Sequence, residues 1–177
     1  MLSAQCTDVI VNSTTERLFK KYKNAKDYAN AKINEFENEI KSITFFRNKA
    51  KNIIKTCQIL EEKYNGEVPS SMDELIELPG ISRKTANVIQ QNAFNIIDGI
   101  VVDTYVLRVS QRLDWTKNKN PEKVEQDLMK LFPKDKWKKL PHLLKNHGRA
   151  VCKAPIPICS KCFLNKLCPK IGVEKFN

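Results

Sequence analysis

Long apolar runs are missing. No stretch of this 177-residue chain approaches the roughly 20 apolar residues a membrane helix needs, which argues against insertion in a bilayer. Met1 to Ile10 lacks the basic-then-apolar order of a secretory signal, so export is not expected. Acidic residues are in deficit: 20 Asp and Glu stand against 31 Lys and Arg, a net charge of +11. So basic a balance makes a polyanion the first partner to consider. No internal repeat and no low-complexity linker interrupts the chain, whose length suits one domain or two small ones sharing a cleft. With 41% hydrophobic and 29% charged residues it is globular and long enough to fold without disulfides.

What is present is unevenly placed. Residues 56–116 hold 5 basic and 9 acidic side chains, while 20–55 hold 10 and 4, 117–144 hold 8 and 4, and 145–177 hold 7 and 1. A near-neutral or acidic middle thus sits between basic flanks. Lys-rich solvated faces explain such a pattern as well as a nucleic-acid footprint does. Of six cysteines, Cys6 and Cys57 stand alone and read as small buried apolar residues. Cys152, Cys159, Cys162 and Cys168 form a C-x6-C-x2-C-x5-C run. Without export, a metal site is the stronger reading of that run. Four thiolates suit zinc or a [4Fe–4S] cluster. Zinc ribbons usually show two C-x2-C knuckles and only one is present, so the spacing leans toward iron–sulfur.

The periodicity is helical. It predicts helices over 8–23 (Val9, Val11, Leu18 and Phe19 apolar), 45–64, 72–78, 83–94, 104–113, 121–132 and 137–147. Asn65-Gly66, Pro79-Gly80 and Asp98-Gly99 punctuate them. Ile100-Val101-Val102 alone has the composition of a strand, with no hairpin partner.

The sharpest local signal is Leu78-Pro79-Gly80-Ile81-Ser82-Arg83-Lys84-Thr85-Ala86, a helix, tight hairpin and helix. Gly80 allows a sharp turn and close approach to a ligand. Ser82 can cap the second helix, whose N-terminus would accept a phosphate; an ordinary helical turn is the plainer reading. Lys84 stands near the start of that helix, where the dipole, like burial, favours a neutral and therefore nucleophilic amine. Asp103, after the apolar Ile100 to Val102, can cap the helix that begins at Thr104 while its charge serves a cleft.

These segments carry a resemblance. Leu2-Ser3-Ala4-Gln5-Cys6-Thr7-Asp8, Leu78 to Ala86, Val102-Asp103-Thr104, and His147-Gly148-Arg149 followed by the four cysteines occur in order over nearly the whole chain. Together they resemble the endonuclease III family of DNA glycosylases, in the helix-hairpin-helix superfamily. The resemblance implies an all-α, two-domain fold. A six-helix barrel domain over 1–98, with the helix-hairpin-helix at about 71–94, would be followed by an iron–sulfur cluster domain over 99–177. DNA would lie across the cleft between them.

The implied function is base excision repair: a bifunctional DNA N-glycosylase for oxidised pyrimidines in duplex DNA that is also an AP lyase, cleaving by β-elimination. Lys84 maps to the family's Schiff-base lysine and Asp103 to its catalytic aspartate. Gln5 matches the residue that fills the space of a flipped base, and Phe45 lies where the family places a second wedge; alternatively Phe45 and Phe46 are both core residues. Gly80, Ser82, Arg83 and Lys153 are the expected DNA contacts. Cys152, Cys159, Cys162 and Cys168 are the expected ligands of a structural [4Fe–4S] cluster, with His147 a buried structural histidine rather than a ligand. The implied partner is duplex DNA with damaged bases or abasic sites. A monomer is expected, inside the cell and associated with DNA, in the cytoplasm or nucleoid of a bacterium or the nucleus or an organelle of a eukaryote.

Three departures from the family pattern stand out. Met1 opens directly at the L-S-A-Q segment, where the family has a preceding helix; the expected consequence is exposed apolar surface in the cluster domain and lower stability. Ser82 replaces the second hairpin glycine, and Tyr105 stands where a histidine is usual. The rival readings are a glycosylase for mismatched thymine or uracil, a catalytically weak DNA-binding remnant, and a zinc-bearing DNA-binding module.

Overall fold

The structure is a computed structural model that describes residues 1–177. It is all-helical, and no helix is long and apolar enough to cross a membrane. The chain divides into two compact units, Met1–Ala86 and Asn87–Asn177.

The first unit holds α1 (Asp8–Lys21), α2 (Ala25–Ala29), α3 (Ile33–Glu39), α4 (Phe46–Tyr64) and α5 (Met72–Glu77). Its core gathers Leu18, Tyr22, Phe36, Ile40, Ile43, Ala50 and Ile54. Tyr22 stacks on Tyr28 at 4.8 Å, and both meet the edge or face of fully buried Phe36 at 5.5 and 5.8 Å. Burying one such phenyl ring contributes about 2–3 kcal/mol. On α1 the buried stripe is Thr14 and Leu18, one turn apart. Val9 and Phe19, expected on the apolar face, are 78% and 62% exposed because they fall off that narrow stripe. The short helices α2 and α3 escaped the sequence periodicity. Asn24 starts α2 by accepting from Asp27 N–H, while the Asp27 carboxylate accepts from Lys23 N–H. Helix α4 ends where Asn65 and Gly66 both turn left-handed.

Between the units runs α6 (Arg83–Ile89), continued as one wide turn over Gln90–Phe94. The division at Ala86 falls inside this element, earlier than residue 98. Its later half is tied into the second unit: buried Asn87 donates to Glu125 Oε1 at 2.8 Å, and Gln91 donates to Gly99 O at 2.8 Å.

The second unit holds α7 (Thr104–Arg112), α8 (Pro121–Leu131) and α9 (Leu140–Ala150). Their core is Ile100, Val102, Val106, Val109, Val124, Leu128, Leu140 and Leu144. Ile100 to Val102 forms no strand; it is an extended lead into α7 that buries Ile100 and Val102. Helix α9 starts at Leu140 rather than 137. Pro141 suits a first turn, where its missing N–H costs nothing, and a 3-10 turn over Lys134–Lys136 precedes it.

Candidate active site

The hairpin between α5 and α6 lies in the first unit. Ser71 caps α5 by accepting from Glu74 N–H. The chain then reverses through Gly80 at φ +76, with Ile81 N–H donating to Leu78 O at 3.1 Å. A Cβ on Gly80 would come within 2.9 Å of Asn52 Nδ2 and Met1 Cε, both at the ends of flexible side chains, so it is the left-handed turn that favours glycine here. Thr56 Oγ1 holds the turn by donating to Pro79 O at 2.9 Å. Ser82 caps α6 as expected, accepting from Thr85 N–H at 3.3 Å. Lys84 stands in the first turn with its side chain exposed.

Gln5 and Phe45, also in the first unit, share an unusual backbone. Both are left-handed, at φ +52 and +57. That costs a non-glycine residue roughly 1–2 kcal/mol, and such strain concentrates at functional sites. Phe45 is 62% exposed, which removes it from the core, whereas Phe46 packs against the core of this unit. Sequence reasoning missed Lys49, which is buried on α4 and donates through Nζ to Leu2 O and Ala4 O. Its only signal is a cation amid the apolar positions of a long helix. Cys6 and Cys57 are half-buried rather than buried, and burial pushes the Cys57 thiol up to about 11.

Asp103 lies in the second unit and caps α7. Oδ1 accepts from both Tyr105 N–H and Val106 N–H at 2.8 Å. One carboxylate oxygen is thus fixed by the helix, and the other has no hydrogen-bond partner in the protein. Beside it, Thr104, Tyr105, Arg108, Gly148, Arg149, Lys153 and Ala154 line an open hollow with three cations and no acid. The guanidiniums of Arg108 and Arg149 lie 5.1 and 5.4 Å from the Tyr105 ring centre. Arg108 is committed to main-chain oxygens, Gly148 O at 3.1 Å and Cys152 O at 3.2 Å. Arg149 and Lys153 are exposed. A Cβ on Gly148 would stand 3.1 Å from the Tyr105 ring, so this pair is closely fitted.

Cys152, Cys159, Cys162 and Cys168 are all free thiols and line one cavity, together with Arg112 and His147. Arg112 is buried and shapes the loop. Its Nη1 donates to Lys153 O at 2.7 Å and to Cys152 Sγ at 3.3 Å, and its Nη2 to Pro155 O at 3.2 Å. Cys168 Sγ donates to Arg112 O at 3.5 Å. His147 is half-buried, with Nε2 3.7 Å from Cys162 Sγ and Phe163 against its ring edge. Desolvation lowers its affinity for a proton. No three Cys, His, Asp or Glu side chains converge closely enough for a single ion.

The profile of the HhH-GPD superfamily, base excision DNA repair proteins, matches residues 1–134. Endonuclease III of Synechocystis sp. is 50% identical over 169 residues, which cover 96% of this chain and 77% of that protein. The chain belongs to the endonuclease III family. Endonuclease III of Bacillus subtilis is 48% identical over 168 residues, covering 94% of this chain and 76% of that protein. A solved structure of a trapped endonuclease III–DNA covalent intermediate superposes with a TM-score of 0.89 at 48% identity, covering 96% of this chain and 79% of that one. A thermostable thymine-DNA glycosylase, at 24% identity and a TM-score of 0.85, shares the fold. The endonuclease III resemblance read from the four motifs is thereby borne out, and the all-helical architecture with it.

Proposed function

We propose that this endonuclease III family member removes oxidised pyrimidines from duplex DNA and then nicks the strand, with Lys84 as the nucleophile. Membership of a base excision repair family and a neighbour solved as a covalent DNA intermediate support the class of reaction. The observation that carries the residue assignment is the exposed Lys84 in the first turn of α6, behind a capped hairpin whose left-handed turn is made by Gly80.

In this reading the damaged nucleotide leaves the base stack, at least cost where the lesion has weakened it. Neutral Lys84 Nζ attacks C1′ of the sugar as the C1′–N bond breaks and the base departs. Loss of the amine proton and opening of the sugar ring give a Schiff base between Nζ and C1′. The imine acidifies the C2′ proton, and its removal expels the 3′ phosphate by β-elimination. Asp103 supplies negative charge to the sugar as positive charge develops, and assists the proton transfers. Its cap fixes Oδ1 and orients Oδ2.

Gln5 and Phe45 fill the step left by the extruded base. Gly80, Ser82 and Arg83 meet backbone phosphate at the hairpin, and Lys153 meets it from the cysteine loop. Cys152, Cys159, Cys162 and Cys168 hold a [4Fe–4S] cluster, which when bound cross-links the loop that carries Lys153. The single C-x2-C knuckle of the run, where zinc ribbons usually show two, supports a [4Fe–4S] cluster over zinc. The proposed functional division, a barrel domain over 1–98 and a cluster domain over 99–177, follows the hairpin and the cysteines. The protein acts as a monomer on DNA inside the cell.

Borohydride trapping on a duplex with one abasic site tests the assignment. A covalent adduct is expected from the wild type and none from Lys84→Ala. An adduct of equal yield from Lys84→Ala would assign the nucleophile elsewhere. No adduct from either would leave a DNA-binding remnant.

A further inference from the structure

Lys49 has no part in the proposed bond-making, yet three unfavourable features meet at it. Its ammonium is buried, at 9% exposure. It sits one turn into α4, where the helix dipole opposes a cation. The main chain it contacts is left-handed at two non-glycine residues, Gln5 and Phe45. Its Nζ donates to Leu2 O at 2.8 Å and Ala4 O at 2.5 Å, the carbonyls that lead into Gln5. Its backbone N–H donates to Phe45 O at 3.1 Å. Desolvation lowers the proton affinity of the amine, and nearby Cys6 acts against that shift.

A buried ammonium is costly unless its donors are used. Here two of three N–H donors are spent on one short turn, and charge-assisted bonds are the strong ones. No carboxylate answers the charge, so the residue does not serve as half of an ion pair. A leucine or methionine would pack in its place without desolvating a charge. What only a long cation supplies here is a pair of directed bonds to the Leu2 and Ala4 carbonyls; the backbone bond to Phe45 O is one that any residue at 49 would make.

We propose that Lys49 is a positioning residue that holds Gln5 in place for the step vacated by an extruded base. The proposal rests on the reading of Gln5 and Phe45 as the filling residues. It requires that losing the Lys49 side chain act through Gln5: the turn before Gln5 relaxes, its left-handed backbone drifts to an ordinary conformation, and base extrusion slows while the lysine chemistry stays intact.

The test uses the full cluster-loaded chain and a duplex holding one 5,6-dihydrothymine beside 2-aminopurine, whose fluorescence rises on unstacking. Lys49→Met is expected to slow both the fluorescence rise and single-turnover excision about tenfold or more, since misplacement by an ångström is costly. Affinity for undamaged duplex should stay within about twofold, because the phosphate contacts are untouched. Lys49→Arg retains two donors and should restore the rate to within about threefold of wild type. Adding Lys49→Met to the Gln5→Ala/Phe45→Ala pair should cost no further rate, because residues acting as a unit are not additive. Should Lys49→Met fail to fold, Lys49→Gln, uncharged and too short to span both carbonyls as the lysine does, takes its place in the same comparison. A wild-type extrusion rate in the Met variant, or losses that multiply with the Gln5/Phe45 pair, overturns the proposal alone. Wild-type extrusion in the Gln5→Ala/Phe45→Ala pair overturns the filling role itself, and this proposal with it.

Discussion

Asp103 divides its two oxygens between structure and charge. Oδ1 accepts two α7 N–H groups, and Oδ2 is left over. Asn keeps the accepting oxygen and is as good a cap as Asp, so Asp103→Asn should cost less than about 1 kcal/mol in a thermal melt. It removes the charge, and excision should fall by about a hundredfold or more. An Asn variant that melts normally and excises at the wild-type rate would reduce Asp103 to a cap. The contrast with Asp103→Ala, which loses both roles, separates the two contributions. The cap was legible in the sequence from the residue type before Thr104; the charge role is proposed from the family motif. The environment of Tyr105 was not legible. Its two guanidiniums come from Arg108 on α7 and Arg149 on α9, 41 positions apart, and only folding brings them to one ring.

At the scale of elements, α8 and the loop before it are joined by one carboxylate. Asp127 Oδ2 accepts from Thr116 Oγ1 at 2.5 Å and Asn118 Nδ2 at 2.7 Å. These bonds hold its carboxyl below the usual aspartate value. A carboxylate depressed in the folded state stabilises above its unfolded value near 3.9, and that contribution is lost as pH falls through the folded value. Asp127→Asn should therefore lower the melting temperature at neutral pH and flatten its decline on acidification. Parallel acid limbs for wild type and variant would count against the argument.

Helices α4, α7 and α8 were readable because each pairs a clear apolar period with end signals: Asn65-Gly66 after α4, Asp103 before α7, and Asn120-Pro121 at the start of α8. Helices α2 and α3 were not. Five and seven residues offer too few turns for a period, and their stability comes from packing on α4. The wide turn over Gln90–Phe94 was hidden for a related reason. It is held from beyond the local period, Asn87 just before it by Glu125 and Gln91 within it by Gly99 O.

For the whole molecule the decisive quantity is charge. A net +11 with basic flanks predicts that affinity for duplex DNA falls steeply with salt, by about 0.9 decades per decade for each phosphate neutralised. Titrations at about 50 and 200 mM salt should differ by tenfold or more if two or more phosphates are neutralised. A salt-independent affinity would remove the electrostatic premise. Lys153→Ala should weaken binding uniformly across sequences and lower the slope by about one.

The grip of Lys49 on carbonyl oxygens bears on how the segment before Gln5 tolerates change. Main-chain oxygens are the same for every residue type, so the contact itself sets no preference for a side chain at positions 2 or 4. Leu2 is constrained separately by the apolar core it packs against, whereas Ser3 and Ala4 are exposed. Substitution at 3 or 4 is therefore cheap. An insertion or deletion there is not, because it moves the carbonyls out of register with a single buried ammonium. The length of this turn, more than its spelling, is what an engineer would have to preserve.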